Sequence, residues 1–284
     1  MHNQNSYATD YTISPVVKWA GGKRQMISTL LSLMPKHFNK YYEPFFGGGA
    51  LFCSIKPKYA VINDVNLQLM NMYRQIQNNF SNVCRAIDNF QCDYNQKASM
   101  DEKDYFYYEM REKFDTIIHS NVSNYISAAL LIFLNKSGFN GLYRVNSSGK
   151  YNVPPAHKNT LKLYDYKNIT ELSRLLKQTT IMCGDFANSC KDAVEGDFIF
   201  FDSPYYDTFD TYQAGGFSKK DHIRLYELFN ILSKKGVHCM LTNNNCEFIK
   251  HLYSKYNIMP VNVKRMISCN GKNRVGKEVI ITNY

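Results

Sequence analysis

Apolar positions along this chain change period several times. Residues 24–34, RQMISTLLSLM, carry helical spacing and stop at Pro35. YYEPFF (41–46) reads as a short strand broken by glycines, and AVINDV (60–65) as a second strand ending in Asp64. A long helical stretch runs from about Asn66 to Phe90, with further helices around 101–118 and 123–136. LYRVNSSGKYNVP (142–154) has a β-hairpin pattern turning at Ser147-Ser148-Gly149. After a helical segment near 168–177, TTIMC leads to Gly184-Asp185-Phe186, and DFIFFD leads to a turn at 202–205. A helix over 218–234 starts from Ser218 as N-cap. VHCMLTN, a helix at 245–255, IMPVNVKR and EVIITNY complete the pattern, with Asn270-Gly271 marking the turn between the last two strands.

Strands that alternate with helices at both ends predict an α/β fold with an open, mostly parallel sheet. The helical middle, 67–165, with its hairpin, interrupts that alternation and reads as an inserted domain carrying specificity. Residues 16–66 and 166–284 then supply the sheet domain, and the polar residues 1–15 a flexible leader.

A content of 44% hydrophobic and 20% charged residues supports a real core and argues against global disorder. No apolar run approaches the roughly 18–20 residues that span a bilayer. The formal net charge of +10 favours polyanionic partners or serves solubility alone, and 22 Tyr and 18 Phe add stacking surfaces suited to nucleic acid, although many of those rings belong to the core. The eight cysteines form no C-x-x-C pair and the seven histidines no H-x-x-x-H or H-x-E spacing, so a zinc site is not expected. Without a secretory signal, reduced thiols and a cytoplasmic location are the expectation.

The stretch DFIFFDSPYYDTF (197–209) ends an apolar strand on Asp202-Ser203-Pro204-Tyr205. An acid at a strand's carboxyl end, beside a proline-stiffened turn and an aromatic, suits a flat, polar, π-faced ligand; it also suits an ordinary turn. Upstream, EPFFGGGALF places Phe45, Gly47, Gly48 and Gly49 where a strand turns into a helix. Glycines there permit a tight turn and close approach to a ligand, or serve the turn alone. The G-x-G-x-x-G spacing of phosphate dinucleotide sites is absent. Asp64 ends the next strand, where an acid accepts hydrogen bonds from both ribose hydroxyls; it also stands where an N-cap for the following helix belongs. A nucleoside cofactor without a phosphate demand fits these features, with S-adenosylmethionine the obvious candidate.

VVKWAGGKRQ, YYEPFFGGGALF, INDVN, FNGLYRVNSSGKYNVP, GDF and DFIFFDSPYY follow one another from about Val16. In content and order they resemble the motifs of Dam-type DNA adenine-N6 methyltransferases. The resemblance implies a Rossmann-like methyltransferase sheet, S-adenosylmethionine as methyl donor, and double-stranded DNA as substrate, often read at GATC in that family. It implies that Lys18, Trp19, Ala20, Gly21 and Gly22 line the methionine end of the cofactor, with Lys18 also near the DNA. Phe45, Phe46, Gly47, Gly48 and Gly49 pack against the cofactor, Asp64 holds its ribose, and Asp185 and Phe186 meet its adenine. Asp202, Ser203, Pro204 and Tyr205 hold the flipped target adenine. On the DNA side, Phe139 wedges into the stack, Asn140 contacts the orphaned thymine, Arg144 reads a guanine and Pro154 touches a thymine methyl. On a plainer reading Phe139 is hairpin core and Arg144 binds only phosphate. The loop KRMISCNGKNRVGK reads as a phosphate grip through Lys272 and Arg274 or as a solvated charged turn, and YYDTFDTYQAGGF (205–217) reads as a flap over the base.

Two departures stand out. Serine occupies position 203, where the family usually carries proline, and Pro155-Ala156-His157 replaces an aromatic and glycine. An N4-cytosine or RNA amino methyltransferase and a catalytically silent DNA-binding homologue are the alternatives. A restriction endonuclease acting on the same site is the functional partner the resemblance suggests.

Overall fold

The computed structural model describes residues 12–120, 123–207, 216–264 and 275–284, and in it the apolar runs join into one seven-stranded sheet. The strands are β1 (Tyr41–Glu43), β2 (Ala60–Ile62), β3 (Thr179–Ile181), β4 (Phe198–Phe201), β5 (His238–Asn244), β6 (Asn257–Lys264) and β7 (Val275–Thr282). Their order is β3-β2-β1-β4-β5-β7-β6. The first five are parallel, and β7 runs antiparallel between β5 and β6. This is the mostly parallel α/β sheet that the alternation predicts, and it has the Rossmann-like form that the family resemblance implies.

Both faces of the sheet are covered. Tyr41, Phe198, Phe200 and Met240 point into one apolar layer, and Tyr42, Ile199, Phe201 and Leu241 into the other. A strand covered on both faces has no polar side to show, so FIFF is apolar throughout. The first layer is built from α1 (Ile27–Leu33), α2 (Ala50–Ile55), α3 (Leu67–Asn78), α4 (Phe80–Gln96), α5 (Met100–His119), α6 (Tyr125–Ser137) and α7 (Tyr166–Leu176). The second is built from α8 (Phe186–Ser189), α9 (Lys219–Lys234) and α10 (Glu247–Leu252). Helix α6 is buried along its whole middle, Ala128 to Leu134, and α3, α4 and α5 pack around it. A helix apolar on all sides has to lie inside such a bundle.

The helix expected over 66–90 is two helices. Asn79 leaves the helical region (φ −126°, ψ 33°) and bonds back to Gln75 through its main chain at 2.7 Å and its side chain at 2.6 Å. Asparagine's side chain competes for local partners and ends helices that an apolar period would continue. The hairpin of 142–154 is a tight turn without regular strands. Its arms meet in one bridge, Val145 to Tyr151, and the Asn146 side chain accepts the Ser148 and Lys150 amides, each at 3.0 Å. Helix α9 begins with a capping box between Ser218 and Asp221. The Asn270-Gly271 turn lies outside the described residues. Among the described residues no helix is long and apolar enough to cross a membrane.

Neighbouring strands β1 and β4 feed the site. From β1 the chain moves outward through β2 and β3, and from β4 it moves the other way through β5. Ligands of open α/β sheets bind in the crevice outside the carboxyl ends at such a reversal. The glycine loop leaves β1 and the Asp202 tetrapeptide leaves β4 at that crevice.

Candidate active site

Asp202 follows β4 directly, and among the described residues its carboxylate is gripped on one side only. Oδ1 takes the Lys23 ammonium at 2.7 Å and the Thr242 hydroxyl at 2.6 Å. Lys23 is buried, also donates to the Gly21 carbonyl at 2.5 Å, and lies 4.8 Å from the centre of the Tyr205 ring. The Tyr205 hydroxyl donates to Glu278 Oε2 on β7 at 2.6 Å. Burial first, then the charges of Asp202 and Glu278, hold this phenol well above its ordinary pKa, so it stays a donor. Ser203 is buried, with its Oγ 3.5 Å from Asn243 Nδ2, and the Asn243 side-chain oxygen accepts the Tyr206 amide at 3.0 Å. Beneath them, Glu43 at the end of β1 accepts the Tyr41 hydroxyl at 2.8 Å. Burial pushes the Glu43 carboxyl well up against the opposing Tyr41 bond, and the charge of Asp202 adds to the rise.

The glycine loop closes a second set of contacts. Asp64 takes the Gly47 amide on Oδ2 and the Asn66 amide on Oδ1, both at 2.9 Å. Burial raises its carboxyl pKa against these backbone bonds. A carboxylate has about four lone-pair directions, so these bonds leave acceptor capacity for hydroxyl groups. Gly47 (φ +49°) lies so close under Trp19 that a Cβ there would stand 2.9 Å from the indole. A Cβ on Gly49 (φ +66°) would stand 2.4 Å from the Phe46 ring. Gly48 lies beside Val17 and Trp19, and Phe46 is buried on Phe52 and Tyr73. Ala20, Gly21 and Gly22 form an exposed turn, closed by the Gly22 amide on the Trp19 carbonyl at 3.3 Å.

Phe45 stacks on Phe186 with ring centres 5.2 Å apart, and Phe217 meets Phe45 edge-on at 5.6 Å. Asp185 caps α8 and pairs with Arg224, whose guanidinium lies 4.5 Å over the Phe186 ring. Asn63 ties three loops together: its amide donates to the Pro44 carbonyl at 3.0 Å and the Gly184 carbonyl at 2.9 Å.

The third group faces outward. Phe139 is 52% exposed, so it is not hairpin core. Asn140 adopts positive φ (54°) on the same turn, and Pro154 accepts the Phe139 amide at 2.9 Å. Arg144 is exposed, with Nε on the Asn152 side chain at 2.7 Å and Nη2 on the Asn152 carbonyl at 3.1 Å. Buried Asn135 joins this turn to the Lys18–Gly22 segment: it accepts the Lys18 amide at 2.9 Å and donates to the Lys18 and Gly141 carbonyls at 2.9 and 2.8 Å. Trp19 stacks on Tyr143 at 5.1 Å across the same junction. Burial, then the like charges of Arg24, Lys18 and Lys158, push the Lys136 ammonium below its ordinary range, which marks a cluster of cations beside this face. Lys272, Arg274 and most of the 205–217 segment lie outside the described residues.

The motifs VVKWAGGKRQ and INDVN contain Lys23 and Asn63 without giving either a role, and no motif includes Thr242, Glu278, Asn135 or Lys136. Lys23 directly follows the Lys18–Gly22 stretch to which the resemblance gives a role, so extending that assignment by one position reaches it. Thr242 and Glu278 arrive at the site only through the strand order, which no local signal reveals.

A family model described as D12 class N6 adenine-specific DNA methyltransferase matches residues 19–267. The chain is 37% identical over 281 residues to Type II methyltransferase M1.LlaDCHI of Lactococcus lactis subsp. cremoris, covering 96% of each chain. It is 35% identical over 292 residues to Type II methyltransferase M.MjaIII of Methanocaldococcus jannaschii, covering 96% of this chain and 99% of that one. To the DNA adenine methylase of Haemophilus influenzae it is 26% identical over 279 residues, covering 95% and 93%. With its glycine loop and acid-bearing tetrapeptide meeting at the sheet's reversal point, the chain belongs to the D12 class of N6 adenine-specific DNA methyltransferases, a family that uses S-adenosylmethionine.

Proposed function

We propose that this enzyme methylates the adenine of GATC in double-stranded DNA after the base has left the helix. Residues 67–165 serve as the target-recognition domain, and 16–66 with 166–284 as the catalytic domain. The observation that best supports this is the uneven use of the Asp202 carboxylate. Lys23 and Thr242 fix Oδ1, while Oδ2 accepts no hydrogen bond among the described residues.

An adenine amino group is a poor nucleophile because its lone pair is delocalised into the ring. Asp202 Oδ2 accepts one N6–H and the Ser203 carbonyl accepts the other, which draws nitrogen toward tetrahedral geometry and frees the lone pair. Tyr205 stacks on the base and Pro204 stiffens the turn that aims both acceptors. Extrusion of the base costs a few kcal/mol, which this stacking helps to offset. Bound S-adenosylmethionine supplies the methyl group on a positively charged sulfur. The residues present fit it: Asp64 retains acceptor capacity for ribose hydroxyls, and Phe45 with Phe186 offers ring faces to an adenine. Gly47 to Gly49 let the main chain approach, Asp185 lies beside that ring pair, and Lys18 to Gly22 take the methionine end.

Arg144 reads guanine through O6 and N7, a contact worth about 1–3 kcal/mol of discrimination. The exposure of Phe139, and of Asn140 and Pro154 beside it, suits insertion into and contact with the duplex. The cations around Lys136, with Lys272 and Arg274, hold phosphates. A restriction endonuclease cutting the same unmethylated sequence is the functional partner.

The test is methyl transfer from labelled S-adenosylmethionine to paired duplexes containing GATC or GTTC, with Asp202→Ala beside the unchanged chain. Label on the GATC adenine alone, lost in the variant, is expected. Equal labelling of mixed-sequence DNA lacking GATC would refute the target assignment, and an active Asp202→Ala would refute the role of the carboxylate.

A further inference from the structure

We propose that Glu278 is a positioning residue for methyl transfer, holding the Tyr205 ring at the angle at which it meets the target base; this rests on Tyr205 being the residue that stacks there. The Tyr205 hydroxyl reaches Glu278 Oε2 at 2.6 Å, within the short range of charge-assisted hydrogen bonds. Lys23 stands over the same ring while it binds Asp202. The ring is therefore held at its tip by the carboxylate and over its face by the cation.

Glu278 is itself firmly placed. It lies on β7, opposite Asn244 of β5 and Val261 of β6, with strands on both sides. The Asn244 side chain donates to the Tyr206 carbonyl, and Asn243 accepts the Tyr206 amide. One strand pair thus fixes the chain just after Tyr205 and the tip of its ring. The tetrapeptide leaves β4 as a loop, where an unanchored tyrosine turns freely about two side-chain bonds. Methyl transfer needs the amino nitrogen in line with the methyl group, and a misplacement of about 1 Å costs on the order of a hundredfold in rate. A carboxylate 73 residues away in sequence removes that freedom.

The experiment compares Glu278→Ala, Glu278→Gln, Tyr205→Phe, Tyr205→Ala and the Tyr205→Phe/Glu278→Ala double variant of the full chain, on unmethylated genomic DNA. Glu278→Ala should lower kcat about tenfold while leaving the KM for DNA within about twofold, the effect of removing one positioning hydrogen bond. Glu278→Gln, whose amide oxygen still accepts, should recover most of the rate. Tyr205→Phe should fall as far as Glu278→Ala, and the double variant no further than either. Should Glu278→Ala fail to fold, Glu278→Met takes its place in the same cycle. Rate losses that multiply in the double variant, or full activity in Glu278→Ala when Tyr205→Ala is inactive, overturn the role of Glu278 and leave Tyr205 in place. An active Tyr205→Ala overturns the assignment of Tyr205 itself.

Discussion

In the proposed mechanism, position 203 contributes to this site through its main chain rather than its side chain. Relatives of the Dam type usually carry proline there, and this chain carries a buried serine whose Oγ, among the described residues, makes only a long approach to Asn243, 3.5 Å. Its amide donates no hydrogen bond among the described residues, so a proline ring removes none. The acceptor we propose at this position is the main-chain carbonyl, which both residues possess. Ser203→Pro is expected to stabilise the fold by about 0.4–1 kcal/mol by restricting the unfolded chain. Single-turnover methyl transfer should not fall. Thermal unfolding and rapid-quench kinetics read the two effects, and a fall in either would show that the serine makes a contribution of its own.

At the scale of an element, α9 carries a pH sensitivity that its capping box does not reveal. His222 is buried among Tyr206, Phe217 and Phe248, and its Nε2 has no hydrogen-bond partner among the described residues. Burial lowers its pKa from 6.5 to about 4, against a smaller upward pull from Asp221. The folded protein therefore keeps it neutral where the unfolded chain begins to protonate it. Stability is unaffected by this group above pH 6.5 and falls as pH drops from 6.5 toward 4. The slope is at most about 1.4 kcal/mol per pH unit. His222→Phe, which fills the same aromatic box, should flatten that part of the curve. Equal pH profiles of the unfolding midpoint for both chains would dismiss the effect.

For the whole molecule, the formal charge of +10 and the cation cluster at Lys136 bear on DNA affinity. Removing one cation that holds a phosphate should lower the slope of log affinity against log salt by about 0.9. Lys158→Gln, at one of the cations around Lys136, is therefore expected to weaken binding similarly on GATC and unrelated duplexes and to flatten that slope. A selective weakening on GATC would place this lysine in base readout instead. The larger arrangement divides by its physical origin. Periodicity of apolar residues, glycines where β1 becomes α2, and an acid and ring after FIFF are local features. The α/β class, most of the elements and the two motifs that meet in the crevice are therefore legible in the chain alone. Asparagine's local bonding at position 79 is not, because a helix break there leaves the apolar period intact. Strand order is a long-range choice made by packing. It is the folded sheet that gives one oxygen of Asp202 to Lys23 and Thr242, and the Tyr205 hydroxyl to Glu278. Thr242 and Glu278 come from strands far along the chain from the tetrapeptide, and nothing in the residues adjacent to either encodes that meeting.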